Sequence, residues 1–66
     1  MKFTVKGCIN KRVTINKVFS SEAKANKFLN HQLDVYNCEV SQIRHRENTT
    51  EFYVNDYTFL SICSNN

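Results

Sequence analysis

Three observations predict an α+β domain with one helix on one face of a β-sheet. Apolar and polar residues alternate near both ends of the chain, and a single helical stripe separates the alternating segments. Proline is absent and glycine occurs once, at Gly7, so the turns must be short and built from Asn, Asp, Ser and Thr. The expected order is ββαββ, with a four-stranded, mostly antiparallel sheet and residues 1–66 forming a single small domain. A chain this short buries only about 60% of the surface its unfolded form exposes, so its core is small.

The first strand is read at residues 2–9. Phe3, Val5 and Ile9 point one way, while Lys2, Thr4 and Lys6 point the other. The pattern returns at residues 13–19 with Val13 and Ile15, and the apolar pair Val18-Phe19 marks a bulge or the end of the strand. A three-residue loop at Asn10-Lys11-Arg12 sets Ile9 opposite Val13 and keeps the apolar faces together. A two-residue loop would set Val5 against Asn16, so the longer turn is expected.

Ser20-Ser21-Glu22 reads as a helix start, with a serine capping free amides and a carboxylate in the first turn. Ala25, Phe28, Leu29 and Leu33 follow at helical spacing, so the helix is expected at about 21–33. Phe28 is its expected anchor. No glycine ends it, and the exit falls to Asp34 or Asn37.

The last third is expected to form one long hairpin with its turn at Asn48-Thr49. That register sets Arg46 against Glu51, His45 against Phe52 and Ile43 against Val54, and further out Val40 against Tyr57. Ile43 and Val54 then lie on one face and Val40 and Tyr57 on the other. Either a bend switches the faces, or Asn55-Asp56 is itself a turn and there are five strands. The nearly continuous apolar run from Tyr57 to Cys63 belongs at the centre of the sheet. Residues 64–66 are a polar tail expected to fray.

A helix crossing between two hairpins, with the first and last strands side by side, resembles the β-grasp arrangement of small immunoglobulin-binding domains. The resemblance lies in element order over the whole chain, without a shared motif, and it implies fold alone.

Little in the chain points to reaction chemistry. Cys8, Cys38, Cys63, His31 and His45 are the only soft metal donors, and none lies at the short spacings of zinc sites. They are expected to be small core residues and surface histidines, so no metal or other cofactor is anticipated. A Cys–His nucleophile needs an enclosed thiolate beside a base. Cys63 borders the polar tail and Cys8 follows Gly7, so no catalytic residue is assigned and the protein is expected not to be an enzyme. Neither a leader nor a run of about 20 apolar residues is evident, which points to a cytoplasmic protein with reduced cysteines and no membrane contact.

Charge is the informative feature. Residues 1–31 sum to +6 and residues 32–66 to −3. Lys6, Lys11, Arg12, Lys17, Lys24 and Lys27 are the candidate partner-binding residues, and their excess charge points to an acidic partner. Lysine outnumbers arginine among them, which suits general attraction better than bidentate base recognition. Against this stands the plain alternative of a solvated basic face. Abundant Asn, Lys and Ile in so short a chain suggest a bacteriophage or mobile-element product. The expectation is a small non-catalytic protein that docks on an acidic host protein, such as a nucleic-acid enzyme or defence factor, and inhibits or redirects it. A basic nucleic-acid-binding regulator acting through the N-terminal hairpin is the alternative, and a homodimer built on charge complementarity is a third.

Overall fold

The structure, a computed structural model, describes residues 1–65; Asn66, at the end of the expected frayed tail, lies outside the described residues. The order is β1 (Lys2–Ile9), β2 (Val13–Phe19), α1 (Glu22–Val35), β3 (Gln42–Arg46), β4 (Thr49–Asn55) and β5 (Thr58–Asn65). All five strands join one antiparallel sheet in the order β2-β1-β5-β4-β3, with α1 on one face.

The first hairpin has Ile9 opposite Val13, as its apolar alternation requires. Asn10 and Lys11 both take positive φ, at 54° and 58°. The Arg12 amide closes the turn on the Ile9 carbonyl at 3.0 Å. This turn is tied to the one before β5. The Asn10 amide donates to Thr58 Oγ1 at 3.0 Å, and the Lys11 amide donates to the Tyr57 carbonyl at 3.2 Å.

The helix ends are set by side chains and backbone together. Ser21 is the N-cap, its Oγ accepting from the Lys24 amide at 3.2 Å. At the other end Asn37 takes the left-handed conformation with φ 53°. Its amide donates to the Asp34 carbonyl at 3.1 Å, and the Cys38 amide reaches back to Leu33 at 2.7 Å. These two bonds form a Schellman motif, with asparagine in the place that glycine usually takes.

Five strands replace the expected four, and the expected long hairpin is two hairpins. The reason is local. The Asn55 side chain accepts from the Tyr57 amide at 2.8 Å, which closes a tight turn before β5. A register shift between Tyr53 and Asn55 precedes it. This turn removes the conflict of apolar faces that a continuous strand would create. It also reverses the chain once more, so β5 runs antiparallel to β1 beside it, and the two-hairpin β-grasp order does not form.

The β3–β4 turn lies at Glu47-Asn48, one residue earlier than expected, so Arg46 faces Thr49 and Ile43 faces Phe52. A slip of two residues in pairing keeps every side chain on its face. The Arg46–Glu51 ion pair survives as a diagonal contact, Nε to Oε1 at 3.4 Å. β5 includes Ser64 and Asn65, and the Ser64 amide donates to the Asn48 carbonyl at 2.8 Å.

Val5, Ile9, Ile15, Leu60 and Ile62 line the sheet face under α1 and are buried with Phe3, Ala25 and Leu29. β5 is the central strand, as its apolar run predicts. Leu29 rather than Phe28 anchors the helix; Phe28 is half-buried at the margin of the core. Gly7 lies opposite Leu60, where β1 and β5 approach so closely that a Cβ would sit 2.8 Å from the Leu60 Cα and clash with the Phe59 carbonyl.

Candidate functional site

Lys24, Lys27, Phe28 and His31 fall at helical spacing on α1 and meet the end of β2 in one groove. Phe19, the last residue of β2, meets Phe28 there with ring centroids 5.2 Å apart. The two rings floor an open groove of about 580 Å³, bordered by Lys24, Lys27, Asn30 and His31, with Asp34 at its far end. Lys17 faces the helix side of β2, opposite Val5 in register. Its ammonium lies 5.1 Å from the Phe28 ring centroid and 5.7 Å from that of Phe19. Three lysines therefore gather about one pair of half-buried aromatic rings. The attraction of Lys17 to the rings, about 0.5–1 kcal/mol at such an exposed site, holds its charge against the aromatic pair.

The six expected binding residues are thus divided among three places. Lys24 and Lys27 line the groove, and Lys17 lies against its two rings. Lys11 and Arg12 sit in the β1–β2 turn, at the opposite end of β2 from Phe19, and the Lys11 ammonium lies over Tyr57, 4.6 Å from its ring centroid. Lys6 is on the sheet face away from α1, opposite Asn16 and Ser61. The strand and helix periods that make this division are legible in the sequence. The meeting of Phe19 and Phe28 is not, because it depends on how the helix lies over the sheet.

The outer hairpin leaves a second, smaller hollow on the helix side, lined by Glu22, Asn26, Ile43 and Phe52 among others. Ile43, Phe52 and Ile62 meet Glu22, Asn26, His45 and Thr50 there, and no lysine or arginine borders it. Among the described residues, no three or more His, Cys, Asp or Glu side chains gather as a metal site. Cys8 and Cys63 lie on the open sheet face and Cys38 follows the helix, so the thiols do not converge. No helix among the described residues is long and apolar enough to cross a membrane. Comparison with protein-family models, curated protein sequences and solved structures finds no match to this chain.

Proposed function

We propose that this protein is a non-catalytic binding module that docks on an acidic segment of a partner protein through the groove between α1 and β2. The observation that supports this most strongly is the meeting of the Phe19 and Phe28 rings in a groove that Lys24 and Lys27 border, with the Lys17 ammonium against the same rings. An apolar side chain of the partner settles on the rings, and carboxylates on either side of it meet the three ammonium groups. Burial of the apolar residue supplies affinity, while the lysines speed encounter and select against basic partners. β2 is an edge strand, so its outward backbone is open for an extended segment to pair along it. An acidic host protein, inhibited or redirected by a small phage or mobile-element product, is the kind of partner this chemistry fits.

Selection from a random peptide-display library tests the proposal before any partner is identified. The enriched peptides should carry carboxylates flanking a leucine or aromatic residue. They should be lost on a folded Lys17→Glu, Lys24→Glu, Lys27→Glu variant and retained on Lys11→Glu, Arg12→Glu. Enrichment of basic or uncharged peptides, or binding that survives the triple reversal, overturns it.

A further inference from the structure

The sheet face away from α1 carries no covering element, and it combines aromatic rings with cations. Phe59 lies in the central strand yet is 45% exposed, while its neighbours Thr58 and Leu60 are buried on the other side. It stands directly opposite Tyr53 on β4. Tyr57 continues the row into the turn and is 54% exposed. Alternation on β3 places Arg44 and Arg46 on this same face, and alternation on β1 adds Lys2 and Lys6. Glu51 is the one strand carboxylate there among the described residues, and it is held by Arg46. The acidic C-terminal half of the chain thus contributes its only two arginines to a face that is net basic.

We infer that this open face is a stacking platform for single-stranded nucleic acid. Bases present flat π-surfaces that rest on the exposed Phe59 ring and the half-buried Tyr53 ring, and phosphates follow the flanking cations. Tyr53 and Phe59 are neighbours across adjacent strands, about 5 Å apart at Cβ, a spacing that suits successive splayed bases. A duplex keeps its bases stacked on one another and cannot use rings set in a flat sheet. The inference is independent of the groove between α1 and β2, which shares none of these residues.

Fluorescence anisotropy with labelled oligothymidylate and oligouridylate of about 12 nucleotides, and with a duplex of equal length, tests it and separates DNA from RNA. Both single strands, or one of them, should bind more tightly than the duplex. Phe59→Leu and Tyr53→Leu, which keep apolar bulk and remove the ring, should each weaken binding about 5- to 150-fold. Changing Lys6 and Arg44 together to Gln should flatten the dependence on salt between about 50 and 200 mM. Glu51→Gln keeps both rings and removes a carboxylate, so it should tighten binding, and it serves as the deciding variant if a ring substitution melts early by circular dichroism. Absence of binding at low salt, equal affinity for the duplex, unchanged affinity in the folded ring variants, equal competition by polyglutamate, or a Phe59-dependent dimer in sedimentation would each overturn the inference.

Discussion

Beneath α1, the strands β2, β1 and β5 bury Phe3, Val5, Ile9, Ile15, Leu60 and Ile62 against Ala25 and Leu29. By contrast every residue of β3 is exposed, and β4 is half-buried along most of its length. The helix packs on β1, β2 and β5 and does not reach the outer hairpin. That hairpin is held by its backbone pairing to β5 and by Phe52 at the margin of the core. The difference shows where a small domain keeps its stability and where it has freedom to vary. Substitutions under the helix act on folding, whereas those on β3 act on whatever meets Arg44 and Arg46. The groove lysines are the exception inside the covered half, since Lys17, Lys24 and Lys27 are exposed although the rings beneath them are not fully so.

The contrast can be broken by four substitutions, measured by urea melts. Leu60→Ala removes a fully buried side chain from the central strand and should cost about 2–5 kcal/mol, enough to unfold much of the population of so small a domain. Gly7→Ala should cost about 1–3 kcal/mol, because the added methyl meets backbone on β5 that cannot move without disturbing the sheet. Phe28→Ala should cost less than a buried phenylalanine, about 1–2 kcal/mol, since its ring is only half removed from water. Ile43→Ala, at a residue 51% exposed on β3, should change stability by no more than about 0.5 kcal/mol. A loss at Ile43 as large as that at Leu60 would mean that the outer hairpin belongs to the core and that the two halves do not differ.

Much of this division is written in local sequence. The serine cap, the helical stripe, the Ile9–Val13 register and the central place of the apolar run from Tyr57 follow from spacing and side-chain chemistry. The fifth strand is only an alternative in the sequence because an Asx turn at Asn55 competes with a bulge, and both satisfy the same alternation. The β3–β4 register slips because the Arg46–Glu51 attraction is met directly in one pairing and diagonally in the other. The exposure of Phe59 is hidden in the sequence because an apolar run does not reveal which of its residues the helix covers. The basic residues read as one surface because net charge along a chain carries no direction; the fold sends Lys6, Lys11 and Lys17 to three different places.

The docking proposal rests on the groove lysines and rings acting as one surface, and amide NMR tests that most directly. The isotope-labelled protein is titrated with an acidic peptide containing a single leucine. Saturable shifts should concentrate at Lys17 to Phe19 and from Lys24 to Asp34, with the amides of β3 and β4 still, and reversal of the three lysines should abolish them. Shifts confined to the Lys11-Arg12 turn or to β3 and β4, with the groove unmoved, would contradict the account.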